Sequence, residues 1–207
     1  MKITVGSRGS PLARAQVIEV EKLLDIQFHP VWIETQGDRD KKTSLRGMDK
    51  SNFFTDEIDR RQVAGEFRIA IHSAKDLPDP LHEHLEIVAL TQGVDPSDSL
   101  VVREFPLQLG SRIGTSSLRR EQFLKQWRPD LICVDIRGTI EERLKLLEDG
   151  VVDGVVMAEA ALIRLGQVHR PRLHLDVETA PCQGKLAVIA VKGDEEMRKV
   201  FQVIDTR

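Results

Sequence analysis

Gly114-Thr115-Ser116-Ser117-Leu118-Arg119-Arg120 is the segment whose residue types and spacing speak most directly of chemistry. It follows a short strand pattern over 111–113 and opens a helix pattern ending near Trp127. Glycine and small hydroxyl residues at a strand-to-helix turn leave backbone N–H groups free to point at an anion. Two arginines one turn on add fork-shaped donors that match carboxylates. The same device recurs. After a strand pattern over 131–136, the turn Arg137-Gly138-Thr139 starts a helix carrying Arg143. Arg119, Arg120, Arg137 and Arg143 thus offer four guanidinium forks, which calls for a ligand bearing several negative groups. Glu141 and Glu142 in the second helix read instead as a solvated face with neighbouring ion pairs.

Three further segments are less decisive on their own. His72-Ser73-Ala74-Lys75-Asp76-Leu77-Pro78 closes an apolar strand over 67–71. A Lys–Asp pair at a strand end can act as an acid/base or stabilise a cation, but taken alone this reads as a surface turn. His72 reads as a structural histidine, because no second histidine stands at metal-ligand spacing with it, and no metal site is expected. Ser7-Arg8-Gly9-Ser10-Pro11 is equally an anion site or a capped helix start with an exposed arginine. Ala180-Pro181-Cys182-Gln183-Gly184 reads as a hinge in which Gln183 could bond to a ligand and Cys182 could be a reactive thiol.

Composition bounds the function. The 207 residues carry a net charge of −3, so no global basic field awaits nucleic acid. Aromatics are 4% and tyrosine is absent, which leaves no stacking platform for single strands. Neither a P-loop nor a G-x-G-x-x-G turn occurs, which disfavours a nucleotide-binding α/β protein. No apolar stretch approaches membrane-spanning length, and no apolar run opens the chain. With only two cysteines, Cys133 and Cys182, a reducing cytoplasm is the expectation; a monomer is expected too. Cys133 sits in an apolar strand pattern and is expected to be buried.

The elements that must position these side chains alternate strand and helix. Strands are expected over 2–5, 28–34, 67–72 and 85–91, with helices over 11–25 and 53–62 and a mobile polar loop over 35–52. Punctuation at 92–98 is followed by a restart: strands over 99–103, 112–114, 131–136 and 154–157, with helices over 117–127, 139–149 and 158–165. Residues 167–181 read as a return connection, 186–191 as a last strand and 194–204 as a last helix. The fold class is α/β: two similar lobes with mixed sheets covered by helices, of the type 2 periplasmic-binding-protein kind. Lobe 1 is expected at 1–91 plus 179–207 and lobe 2 at 92–178, with a ligand cleft between them and two hinge crossovers.

Taken in order, SRGSPLARAQ, TQGDRD, FFTDEID, AIHSAKDLP, DPSDSLV, IGTSSLRR, DIRGTIEERL, DGVVDGVVMAEAALIRLG and CQGKLAV make the chain resemble the hydroxymethylbilane synthase (porphobilinogen deaminase) family. The resemblance implies a transferase of porphyrin and heme biosynthesis. Such an enzyme joins four porphobilinogen units head to tail on a bound dipyrromethane cofactor and releases ammonia each time. It further implies Asp76 as the catalytic carboxylate, with Lys75 and Ser73 in the same cleft. Acetate and propionate groups would be held by Arg8, Ser10, Thr115, Ser116, Ser117, Arg119, Arg120, Arg137, Gly138 and Arg143, with Arg164 and Gln183 alongside.

Two departures stand out. The family's Gly-Gly-Cys turn, which carries the cofactor on a C-terminal third domain, has no counterpart before Arg207. The expectation is therefore a truncated piece, a naturally short form, or a relative that binds pyrroles or other polycarboxylates without catalysis. Cys182, standing where the family usually has glycine, is a candidate attachment point. In the lid stretch Met48-Asp49-Lys50-Ser51-Asn52, only Lys50 echoes the family's Gly-Gly-Lys-Gly. The competing reading is a two-lobe binder of small anions. Asp76 separates the two, since a pure anion binder has no use for a carboxylate facing its ligand.

Overall fold

The computed structural model describes residues 2–48 and 51–207; Lys50 lies outside them. The chain opens with β1 (Ile3–Arg8), whose inward Ile3 and Val5 are fully buried. Ser10 then caps α1 (Pro11–Leu24), its Oγ accepting the Ala13 N–H at 3.3 Å, with Pro11 in the first turn, where a missing N–H costs nothing. Ala13, Val17 and Val20 recur at helical spacing and bury one stripe of α1.

β2 (Phe28–Ile33), α2 (Gln36–Arg39), α3 (Asp56–Val63), β3 (Ile69–Ser73) and β4 (Leu85–Leu90) follow. After the punctuation come β5 (Asp98–Val102), β6 (Arg112–Gly114), α4 (Leu118–Trp127), β7 (Ile132–Val134), α5 (Ile140–Glu148), β8 (Gly154–Ala158), α6 (Glu159–Arg164) and β9 (Arg172–Leu175). β10 (Leu186–Val191) and α7 (Glu195–Phe201) end the fold.

The strands form two five-stranded sheets, ordered β2-β1-β3-β10-β4 and β7-β6-β8-β5-β9. β1 is parallel to β2 and β3, and β10 is antiparallel to β3 and β4. β6 is parallel to β7 and β8, while β5 runs antiparallel to β8 and β9. Each sheet is covered on both faces. Val5, Phe28, Val188 and Phe201 share one core and Ile33, Ile58, Phe67 and Ile189 another. The second sheet packs Val101, Leu144 and Val155 on one side and Leu100, Leu124 and Val156 on the other.

Two crossovers join the sheets and touch where they pass. Val94 N–H donates to the Gly184 carbonyl at 3.3 Å. Gly184 has φ +86, and a Cβ there would lie 2.4 Å from the Asp95 carbonyl oxygen, so only glycine fits this crossing. Because the chain returns through it, β10 pairs with the first sheet although it is encoded after the second.

Three elements depart from the sequence reading. The 35–52 stretch contains α2, set by Asp38, whose carboxylate accepts both the Thr35 N–H and the Thr35 hydroxyl. This is a capping box with Asp in place of the usual Glu or Gln. Helix α3 starts at Asp56, since Phe53 and Phe54 turn inward edge to face, with centroids 5.3 Å apart. The 167–181 connection contains β9, an edge strand whose polar/apolar alternation runs for only four residues, the shortest length at which that pattern marks a strand.

Candidate active site

The parallel strands of both sheets end at one cavity of about 1010 Å³, lined from both lobes and from the second crossover. Ligand pockets usually span roughly 300–1,000 Å³, so this one is at the large end. Nine lysines and arginines line it against five carboxylates.

Asp76 ends a short 3₁₀ turn, Ala74–Asp76, that follows β3 directly. The Ala74 N–H donates to the Lys185 carbonyl at 3.0 Å, and Ala74 and Leu77 are buried. The turn is thereby pinned, with Lys75 and Asp76 both lining the cavity. Among the described residues the Asp76 carboxylate has no hydrogen-bond or ion-pair partner. Lys75 Nζ donates to Gln183 Oε1 at 3.0 Å. Burial, then the Arg120 guanidinium, pushes the Lys75 ammonium down to about 8, with Asp76 and Asp98 pulling the other way. His72, buried behind them, is pushed down to about 4 by burial and Arg8, so it is neutral and no cation.

Four arginines from the second lobe line the same cavity. Arg119 and Arg120 stand on the first turn of α4, behind Ser116 and Ser117, which also line the cavity. Thr115 does not. It is buried, and its Oγ1 accepts the Ser117 N–H at 3.2 Å, so it shapes the turn rather than facing a ligand. Arg137 follows β7, and its Nη2 donates to the Gly37 and Asp40 carbonyls of the first lobe at 3.2 and 2.6 Å. Its Nε and Nη1 are buried without a partner, as is the Nε of Arg120. Arg143 Nε donates to the Gly138 carbonyl at 2.9 Å. Burial, then Arg120 and Arg137, pushes Arg143 down to about 10, and Asp76 is among the charges that offset this. Gly138 has φ +105, and a Cβ there would meet Glu142 Oε2 at 2.5 Å. That oxygen accepts the Thr139 N–H at the start of α5.

Other expected residues are spent on protein partners. Arg8 is ion-paired with Asp38 and lies over the Phe54 ring, 4.4 Å from its centroid. Burial raises the Asp38 carboxyl, but Arg8 and the two Thr35 donors together outweigh it and hold Asp38 below the usual range. Ser10 lines the cavity while capping α1, and Ser73 Oγ accepts from Gln16 at 2.8 Å. Arg164, 6% exposed, forks onto Glu19 of α1 at 2.7 and 3.0 Å and reaches the Gly184 carbonyl. Gln183 donates to Pro96, Ser97 and Asp98 across the crossovers.

Cys182, like Thr115, is displaced from the site. Its φ of +59 turns it outward, and Thr179–Pro181 and Gln183–Lys185 line the cavity where Cys182 does not. Cys133 is half-buried rather than buried, because β7 is an edge strand, and burial raises its thiol.

Sequence reasoning missed Asp98. Its carboxylate is fully buried at the start of β5 and ion-pairs with Arg119 and Arg120, both at 2.6 Å. Burial raises it, yet the two guanidinium groups bring it down to about 2. The signal available was an acid at the head of an otherwise apolar strand, DSLVV. Also missed was the closure of residues 37–46 onto the second lobe. Lys41 pairs with Glu142, Arg46 with Glu121, and the Ser44 hydroxyl bonds to Asp135.

Among the described residues, no group of three or more His, Cys, Asp or Glu side chains could hold a metal ion, and no helix is long and apolar enough to cross a membrane.

Known proteins share both fold and sequence with this chain. An amino acid ABC transporter substrate-binding protein of Streptococcus pneumoniae, solved bound to L-arginine, superposes with a TM-score of 0.55 at 14% identity, covering 98% of this chain and 86% of that one. A putative L-cystine ABC transporter from Listeria monocytogenes gives 0.53 at 14% identity, covering 98% and 87%. These establish the two-lobe fold alone. In sequence, a probable porphobilinogen deaminase of Chlamydia pneumoniae is 41% identical over 211 residues, covering 98% of this chain and 89% of the relative. A porphobilinogen deaminase of Caldicellulosiruptor saccharolyticus is 40% identical over 196 residues, covering 90% and 68%. Residues 3–199 match the family described as porphobilinogen deaminase, dipyromethane cofactor binding domain. With the motif order, the two lobes and the cationic cavity all in agreement, the chain belongs to the porphobilinogen deaminase family.

Proposed function

We infer that the cavity condenses porphobilinogen units head to tail with loss of ammonia, as a hydroxymethylbilane synthase. One observation carries this reading. Asp76 is an unpartnered carboxylate in a cavity otherwise dominated by cations. An anion receptor would be weakened by it, whereas a site that must bear positive charge needs it.

In each condensation the C–N bond of the aminomethyl group breaks and ammonia leaves. Positive charge develops on that carbon and is shared with the pyrrole N–H. The preceding pyrrole's α-carbon then forms the new C–C bond and loses its proton. Asp76 accepts the pyrrole N–H and stabilises that charge. Lys75, next to it, holds a carboxylate or returns a proton.

Arg119, Arg120, Arg137 and Arg143 bind acetate and propionate groups through charge-assisted hydrogen bonds. Ser10, Ser73, Ser116, Ser117 and Gly138 line their approaches. Arg8 and Arg164 join them on releasing Asp38 and Glu19. The unpartnered donors of Arg120 and Arg137 fit a resident group rich in carboxylates, so dipyrromethane would be held by these arginines. When bound, it supplies the primer to which the substrate units are joined.

In this reading 1–91 with 179–207 forms one functional lobe and 92–178 the other, and the enzyme works as a cytoplasmic monomer. Incubation of the full chain with porphobilinogen tests it. Consumption of porphobilinogen, with uroporphyrin fluorescence after oxidation, is expected. A folded chain that binds porphobilinogen and consumes none would overturn the enzymatic reading in favour of a binder.

A further inference from the structure

We propose that Asp98 is a positioning residue: a single buried carboxylate that aims Arg119 and Arg120 at the ligand and, through Gln183, fixes Lys75. Asp98 is 0% exposed and does not line the cavity, so it acts only through others. Its Oδ2 accepts from Arg119 at 2.6 Å, and its Oδ1 accepts from Arg120 at 2.6 Å and from Gln183 at 2.9 Å. The other end of Gln183 accepts from Lys75 at 3.0 Å. The carboxylate sits where the first crossover ends, while Gln183 belongs to the second. Both inter-sheet connections and three functional side chains therefore share one oxygen pair, and Lys75 is tied to it through Gln183.

The pattern of donors argues for orientation rather than simple charge balance. Asp98 takes one Nη from each guanidinium, and carbonyls of Glu178 and Val156 take the other Nη of Arg119 and Arg120. The Nε of Arg120 is left buried and unpartnered. Both Nη groups of each guanidinium are thus held by protein acceptors, which fixes its plane, and the Arg120 Nε stays uncommitted. Buried ion pairs contribute little net stability compared with apolar replacements, so directional control is the role that such a pair serves best. An error of about 1 Å in a positioning group can cost roughly a hundredfold in rate.

The inference rests on the proposed function only for the identity of the ligand. Asp98→Glu keeps the charge but moves both guanidinium groups by one methylene. Asp98→Asn removes the charge. Both are made in the full chain, and binding of porphobilinogen and of the polycarboxylate mellitate is measured by calorimetry alongside kcat and KM.

At least tenfold weaker binding of both probes is expected in Asp98→Glu. In Asp98→Asn, the basic limb of the pH profile should also move to lower pH. Lys75 would then face Asp76 from its own turn and Arg119 and Arg120 from α4, with the Asp98 charge gone. Folded variants that bind both probes within twofold of wild type, with an unmoved basic limb, overturn the proposal. If neither variant folds, wild-type NMR decides: restricted rotation of both guanidinium groups supports the clamp, and free rotation overturns it. Weakened binding in Asp98→Glu together with a wild type that turns over nothing leaves the positioning role standing and removes the enzymatic reading. An active wild type with an unaffected Asp98→Glu does the reverse.

Discussion

Lys75 should be a residue that costs stability and supplies activity. Its ammonium is held at about 8, against an ordinary 10.5, chiefly by burial. At ~1.4 kcal/mol per pK unit, keeping it charged in the fold costs about 3 kcal/mol. The folded pKa lies below the unfolded one, so between pH 8 and 10.5 the unfolded chain binds more protons. Stability should therefore rise with pH across that window, and the full cost should be present below pH 8. Lys75→Met removes the charge but strands Gln183 Oε1, worth ~1–3 kcal/mol. The net at pH 7 is a gain of roughly 0–2 kcal/mol, or up to about 8 °C in Tm for a chain of this size. The same variant loses a charged contact to substrate, about 1.5–3 kcal/mol, which raises KM for porphobilinogen roughly ten- to a hundredfold. Thermal denaturation from pH 6 to 11, with steady-state assays, reads both effects. If Lys75→Met keeps the wild-type climb in stability above pH 8, or leaves KM untouched, the reasoning about this lysine is wrong.

Two further outcomes follow from geometry. Gly138→Ala forces a Cβ against Glu142 at φ +105 and should cost about 1–3 kcal/mol by urea denaturation, with α5 frayed at its start; an unchanged midpoint would contradict it. Arg120→Met should cost ~3–5 kcal/mol at pH 7 because it leaves Asp98 buried with a weaker partner set. Asp98 has a depressed pKa of about 2, so its contribution is present above about pH 4 and is lost as pH falls toward 2. The acid limb of the stability curve should accordingly be shallower in Arg120→Met than in wild type.

Much of the site was legible because its residues stand at strand ends, where short motifs carry both the turn and the chemistry. Ser10-Pro11 announced α1, and GTSSLRR and RGT announced α4 and α5. Pairing relations were not legible. Nothing local says that Asp38 neutralises Arg8, that Glu19 holds Arg164, or that Asp98 lies beneath Arg119 and Arg120, since each pair joins residues far apart in sequence. The charge of the cavity was also read too simply. Asp76 shares it with Glu34, Asp38, Glu142 and Glu178, of which Asp38 and Glu142 are ion-paired. β9 escaped because its alternation, Arg172-Leu173-His174-Leu175, is only four residues long. Cys182 looked placed for attachment by its neighbours, but a left-handed backbone at that residue reverses its direction.

The account turns on one acidic group meeting positive charge among bound carboxylates. Asp76→Ala, compared with wild type for both porphobilinogen affinity and turnover, measures this directly. Removing a preorganised charge stabiliser costs roughly 10²–10³ in kcat. Turnover should fall by at least that factor, while affinity for porphobilinogen is unchanged or tighter because a repelling carboxylate has gone. Turnover within tenfold of wild type would contradict the account.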